Sequence, residues 1–436
     1  MSATSQKIQW EKGIPRLQTL GISGMNKTLS AIVIFLLTVT LFCSSAEARP
    51  QKPFLLGMSA AFTGHSKALG IELYRGAQAY FDKVNEQGGI NGRKIVIKFM
   101  DDGYNPEPAI RNTIKFVKID KVDCLFSYVG TPTVTRVLPV IKHFNSNKPE
   151  YLFFPFTGAQ PQREFPYEEY VFNLRASYRQ ETWGLVHNLY MIGRKRIAVL
   201  YQADAYGRSG WDGIRKALTE KGLNIVAEST YRRGAAFKDS MKRQVEIIKK
   251  GKPDAVISVG TYEACAAFIR DMRDAGLNIP ICNLSFVGSE NMLELLSKLN
   301  KDTGKDYCAD LINAQTVPSY EDTSLPAVRE YREAMAEDPQ LPAGFGKGYQ
   351  PLKYSFSSFE GFLNAKVMTQ ILKRVSEPQY RGNIQAATLS IRNLDIGIGT
   401  DINFGRGRHQ GMDEVYYSTV SHGKFVPLND WRRWSK

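Results

Sequence analysis

The run Gly130-Thr131-Pro132-Thr133 separates the apolar segment "DCLFSYV" from the helically spaced "TRVLPVIKHF". Gly130 permits a sharp strand exit, Thr131 suits a helix N-cap and Pro132 suits the first helical position. A helix is therefore expected to start here, its first amides pointing into the space beyond the strand end. Ser59 stands in another such loop, in "GMSAA" (57–61). That run is one residue short of a nucleophile elbow, so the hydroxyl is read as serving a ligand or the fold rather than attacking a substrate. No "GxxxxGK[ST]" and no "HExxH" occurs, and the 5 histidines (His65, His143, His187, His409, His422) are scattered. "GFGKG" (344–348) follows no strand signal, which argues against a dinucleotide site. No acid, base and nucleophile gather in the sequence, so neither catalysis nor a cofactor is expected.

The elements that position these loops repeat one rhythm from Phe54 onward. An apolar strand ends in a small-residue loop, an amphipathic helix follows, and a glycine-containing turn leads to the next strand. "FLLGMSAAFTG", "IELYRGAQAYFDKVNEQGG" and "RKIVIKFMDDG" show it first; it restarts at "RKRIAVLYQADAYG" (194–207) and runs to "IPICNLSF". Strands alternating with helices predict parallel sheets covered on both faces. Two complete patterns predict an α/β protein of two doubly wound parallel-sheet lobes, with a first boundary near residues 173–177. Ligands of such sheets bind outside the carboxyl ends of the strands. Here those loops are 59–64, 128–133, 156–159, 202–206, 260–263 and 283–288.

Before this rhythm begins, Asn26-Lys27 leads into the apolar run 28–43, and Ala46-Glu47-Ala48 follows. A basic start, a short apolar run and an Ala-x-Ala end describe a secretory signal peptide cleaved after Ala48, hence a periplasmic protein. The uncharged run is shorter than the roughly 20 residues of a membrane span. Met25 stands just before this signal, so residues 1–24 read as an overlong start. A lipid anchor at Cys43 is disfavoured by the bulky Phe42. The charge of +14 falls to +12 once residues 1–48 go, since they hold four basic and two acidic residues. Basic and acidic residues alternate, as in "RKIVIKFMDDG", which describes solvated helix faces and no nucleic-acid surface. Four cysteines remain (Cys124, Cys265, Cys282, Cys308), too dispersed for zinc. An oxidising compartment permits a disulfide, and Cys282–Cys308 is the pairing expected if one forms.

The segments "GMSAAFTGHSKALGIELYRGAQAYFDKVNEQGGINGRKI", "SYVGTPTV", "FNLRASYRQET", "RIAVLYQADAYGRSGWDGIRKAL" and "NLSFVGSE" resemble the ABC-transporter substrate-binding proteins of the leucine/isoleucine/valine-binding family. The likeness runs from about Phe54 to about Phe425. It implies the type I periplasmic-binding fold, with three crossovers near Arg175, Val317-Pro318 and residues 405–411. Lobe 1 would then hold 49–174 and 318–408, and lobe 2 would hold 175–317 and 409–436. By the same resemblance, Gly130, Thr131 and Thr133 form a carboxylate cradle at a helix start, with Phe156, Thr157 and Gly158 on the same side. Tyr206 matches the tyrosine of the second lobe. Relatives often carry an aromatic where Leu69 stands, a tyrosine where Thr261 stands and an acid where Ser285 stands. These departures put an α-amino acid ligand in doubt, unless Glu263 or Asp204 replaces the acid. The implied role is a monomeric solute receptor serving an ABC permease. A sensor of the same fold is the alternative, and an exported hydrolase the remote one.

Overall fold

The computed structural model describes residues 51–436 except 147, 148, 338, 347 and 381. The expected signal segment and cleavage position lie outside the described residues. In chain order the helices are α1 (Lys67–Glu86), α2 (Pro106–Lys115), α3 (Thr131–Asn145), α4 (Tyr178–Met191), α5 (Ala205–Thr219) and α6 (Lys242–Lys250). Then come α7 (Tyr262–Asp274), α8 (Ser289–Thr303), α9 (Pro326–Ala336), α10 (Phe356–Val375) and α11 (Ile384–Leu389).

The first sheet has the order β2-β1-β3-β4-β5: β2 is Ile95–Asp101, β1 Phe54–Ala60, β3 Cys124–Phe126, β4 Leu152–Phe153 and β5 Val171–Phe172. All its pairings are parallel. The second runs β14-β13-β10-β9-β8-β6-β7: β6 is Ile197–Gln202, β7 Ala227–Tyr231, β8 Ala255–Val259, β9 Ile281–Asn283 and β10 Leu311–Gln315. These five are parallel to one another, whereas β13 (Tyr416–Ser421) and β14 (Lys424–Pro427) add an antiparallel hairpin at the β10 edge, and β11 (Leu394–Asp395) and β12 (Asp401–Ile402) pair separately. The second sheet is therefore mixed, because a short Ser421–Lys424 turn can only return the chain antiparallel. Strands such as β3 and β8 are buried at every position, as sheets covered on both faces require. Among the described residues no helix is long and apolar enough to cross a membrane.

Helix α10 lies against α1, which brings a late segment back to the first sheet. The approach is very close. A Cβ added to Gly76 would stand 1.7 Å from the Ser358 carbonyl oxygen, and one on Gly361 would stand 2.1 Å from that of Leu73. Neither backbone has room for a methyl, so Gly361→Ala must push the helices apart. It is expected to cost about 1–3 kcal/mol or more of stability, read as a lower urea midpoint. An unchanged midpoint would contradict the close packing.

The segments expected as the first and third crossovers lie side by side. Asn173 N–H donates to the His409 carbonyl at 2.7 Å, Gly411 N–H to that of Asn173 at 2.8 Å, and Met412 N–H to that of Leu174 at 2.9 Å. Arg163 ties both: its Nη2 donates to the Arg175 carbonyl at 2.9 Å and its Nε to Gln410 Oε1 at 2.9 Å.

The Cys282–Cys308 expectation is corrected: all four cysteines among the described residues are free and buried. Cys282 sits mid-strand opposite Ile312. Cys308 lies four residues before that partner and contacts Asn300 Nδ2 at 3.5 Å instead.

Candidate functional site

The carboxyl ends of the two sheets meet, and the residues there come from both. Helix α3 begins at Thr131 with Gly130 as its N-cap, so the helix starts one position earlier than the Thr131 cap expected from sequence. Gly130 takes φ 104°, and an added Cβ would strike the Tyr104 ring at 2.2 Å. Only glycine fits. Because Thr131 is not a cap, its hydroxyl is free to bond Thr157 Oγ1 at 2.6 Å. Thr133 behaves differently, since its hydroxyl donates to the Val129 and Gly130 carbonyls at 2.6 and 2.8 Å. Its contribution to an anion is therefore limited to its backbone amide. The Gly158 carbonyl accepts from Tyr178 N–H at 2.7 Å, which sets the start of α4 beside the threonine pair.

An aromatic cluster closes the space between the sheets. Phe286, in the turn after β9, lies with its ring centroid 4.9 Å from Tyr206, 5.2 Å from Phe156 and 6.0 Å from Tyr104. Tyr178 and Tyr206 are 5.3 Å apart. All five rings are buried. Leu69 is buried in the first turn of α1, beside Gly288 of the facing sheet.

At the base of this cluster lies Arg175, 1% exposed. Its guanidinium carbon stands 4.8 Å from the Phe156 centroid and 6.0 Å from that of Tyr178. Glu181 from α4 and Glu360 from α10 flank it at 3.6 Å each. Arg175 Nη2 donates to the Ser285 hydroxyl. That hydroxyl and the Ser285 N–H donate in turn to the two Glu181 oxygens at 2.9 and 2.8 Å. Thr316, which directly follows β10, donates to Glu360 at 3.0 Å. Burial works against the Arg175 charge, but Glu360 and Glu181 outweigh it and raise its pKa. Burial likewise raises both carboxyls against the pull of Arg175. Arg175 Nη1 has no hydrogen-bond partner, its Nε faces Glu360 Oε1 at 3.6 Å, and the Tyr178 hydroxyl lies against the Thr131 and Thr157 hydroxyls.

The remaining expected residues sit around this core with their polar groups occupied. Asp204 caps α5, accepting from Tyr206 and Gly207 N–H and from Gln202 Nε2 at 2.9, 3.4 and 2.7 Å. Glu263 Oε2 contacts His65 Nδ1 at 3.0 Å and accepts from Phe237 N–H at 3.1 Å. It lies at the rim, a link between the sheets. Thr261 N–H donates to the Tyr231 hydroxyl at 3.2 Å. Ser59 donates to Asp102 at 2.8 Å, and Asp102 in turn accepts from Tyr104 N–H at 2.8 Å. Its partner is informative, because burial pushes the Asp102 carboxyl up to about 7. The folded state favours the protonated form, so this contribution is full below the unfolded pKa of about 4 and is lost as pH rises through about 7. Asp102→Asn is therefore expected to gain roughly 2–4 kcal/mol on wild type between pH 5 and pH 8. A constant difference across that range would contradict it.

The sequence reading missed Arg175, Tyr178, Glu181, Phe286, Tyr104 and Glu360 as site residues. An arginine inside the otherwise apolar "VFNLRA" was the available signal for Arg175. Among the described residues no His, Cys, Asp and Glu side chains group to hold a metal ion.

The comparisons agree with this geometry. Residues 53–424 match the family model described as periplasmic binding protein. The chain is 26% identical over 306 residues to Leu/Ile/Val-binding protein homolog 1 of Brucella abortus, covering 68% of this chain and 78% of that one. A possible leucine/isoleucine/valine-binding protein from Rhodopirellula baltica has a TM-score of 0.77 at 29% identity, over 88% of this chain and 98% of that one. A branched-chain amino acid ABC transporter structure from Thermus thermophilus, with bound valine, has a TM-score of 0.74 at 19% identity, over 87% and 96%. The last likeness is one of fold. With two sheets facing each other across a polar and aromatic cleft, the chain belongs to the periplasmic binding protein family and is a solute-binding receptor, not an enzyme.

Proposed function

We propose that this receptor captures a small solute bearing a carboxylate, or a similar acceptor, between two lobes and delivers it to an ABC permease from the periplasm. The lobes are residues 49–174 with 318–408, and 175–317 with 409–436. The observation that supports the ligand class is the buried guanidinium of Arg175, whose Nη1 has no hydrogen-bond partner and whose carbon lies 6.0 Å from the Tyr178 ring. The Thr131 and Thr157 hydroxyls are neighbours of Tyr178 and, with the first amides of α3, complete a set of donors. Charge-assisted hydrogen bonds of this kind contribute roughly 1.5–3 kcal/mol each. Of the two acids that could meet an ammonium group, Asp204 caps a helix and Glu263 is held at the rim by His65 and the Phe237 amide. The ligand therefore needs no α-amine, and the rings of Phe156, Tyr206 and Phe286 receive an apolar or planar body.

A thermal-shift screen of amino acids, their amides and amine-free organic acids tests this reading, because a ligand bound only by the folded state raises its melting temperature. Organic acids are expected to give the largest shifts. Neutral amides outranking every carboxylate would overturn it. Thr131→Ala is expected to weaken binding of the best acid by about tenfold; because Gly130, not Thr131, is the cap, any fall in melting temperature comes from the lost Thr131–Thr157 hydrogen bond alone.

A further inference from the structure

The two sheets are also joined where the start of α8 faces the start of α10. Helix α8 follows β9 of the second sheet, and α10 lies against α1 of the first. Glu290, in the first turn of α8, reaches across. Its Oε1 accepts from Phe356 N–H, the first amide of α10, at 3.2 Å. The Tyr320 hydroxyl, from the segment between β10 and α9, lies against the same carboxyl, and its ring centroid is 4.9 Å from that of Phe356. One residue on, Asn291 Nδ2 donates to the Tyr349 hydroxyl at 3.3 Å, and that hydroxyl donates to Glu72 Oε1 of α1 at 2.8 Å. The titratable and charged groups facing Glu290 are Tyr320, Tyr331 of α9, and Glu72, itself paired with Arg75 at 3.1 Å.

We infer that Glu290 is a proton-operated latch between the two sheets, so that acid holds the receptor closed and alkali opens it. Glu290 is buried in the joined form. Burial pushes its carboxyl up to about 7, the Glu72 charge adds to this, and the Phe356 amide and Tyr320 hydroxyl act against it. Parting the sheets admits water to the carboxyl and returns it towards the ordinary 4.5. The joined form therefore holds a proton that the parted form releases, and a protonated carboxyl still accepts from Phe356 N–H through its carbonyl oxygen. The advantage of the joined form is full below about 4.5 and is lost as pH rises through about 7. The latch concerns how the lobes part, so it stands whether or not the cleft takes a carboxylate.

Two other polar contacts join the sheets, His65 with Glu263 at 3.0 Å and Arg233 Nη2 with Asn105 Oδ1 at 3.3 Å. The first also depends on protonation, so the test must separate it from Glu290. Small-angle scattering of the purified chain at pH 5.5 and pH 8, with no solute added, reads the ratio of closed to open molecules. For wild type that ratio is expected to fall about tenfold or more across this range, and the radius of gyration to rise with it. Glu290→Gln keeps an oxygen for Phe356 N–H but cannot ionise, so its radius should stay at the wild-type pH 5.5 value throughout. His65→Gln removes the other titratable contact and should respond to pH as wild type does. A wild-type radius that does not change with pH would overturn the inference. A response that persists in Glu290→Gln, or disappears in His65→Gln, would overturn it equally.

Discussion

Arg175→Leu is expected to destabilise the folded chain by about 3–5 kcal/mol, because it leaves Glu181 and Glu360 buried without their shared cation. Truncating one partner of a buried charge cluster costs more than the cluster contributes, since the remaining charge stays desolvated. The double variant Arg175→Leu with Glu360→Gln should recover part of that loss, having removed one stranded carboxylate. Coupling of this kind is what neighbouring sites show when they share one interaction. Urea denaturation of the wild type, both single variants and the double variant measures it. Strict additivity would mean that the guanidinium and Glu360 do not meet in solution.

Phe286→Ala is expected to cost about 3–5 kcal/mol, the range for deleting a buried phenylalanine. The ring is fully buried between Tyr206 of one sheet and Phe156 and Tyr104 of the other. Its loss leaves an aromatic-walled space, and apolar spaces of that kind admit small planar guests. Adding indole should therefore restore part of the lost melting temperature in the variant and do nothing for the wild type. A loss below about 1 kcal/mol would show that the ring does not join the two sheets.

Much of this was legible in the residues, for a local reason. The alternation of apolar strand, small-residue loop and amphipathic helix is written in runs of 10–20 neighbours. From it came the two sheets and the loops at their carboxyl ends. The Gly130–Thr133 loop was found the same way, since glycine, hydroxyl and proline each report a local backbone preference. What those preferences did not decide was the one-residue register. Glycine and threonine both suit an N-cap, and the clash with Tyr104 that requires glycine at 130 is a tertiary contact.

The rest was illegible because it depends on which distant side chains meet. Thr131 and Thr133 look alike in sequence, yet one hydroxyl reaches Thr157 while the other turns back to its own carbonyls. Asp204 and Glu263 look equally able to receive an amine until a helix start claims the first, and His65 with the Phe237 amide claims the second. Arg175 was read only as a point on a crossover. Its partners Glu181, Ser285 and Glu360 come from three separate elements, and no spacing rule joins them. Cys282 and Cys308 flank neighbouring strands, but register along those strands keeps them apart.

In the proposed function an acid is held between the sheets by the donors of Thr131, Thr157, Tyr178 and Arg175. Isothermal titration of the best acid from the thermal screen into wild type and into Thr131→Val/Thr157→Val tests it most directly. One ligand per chain is expected for wild type, and affinity about tenfold to a hundredfold lower for the double variant at an unchanged melting temperature. Equal affinity in the two proteins would contradict it.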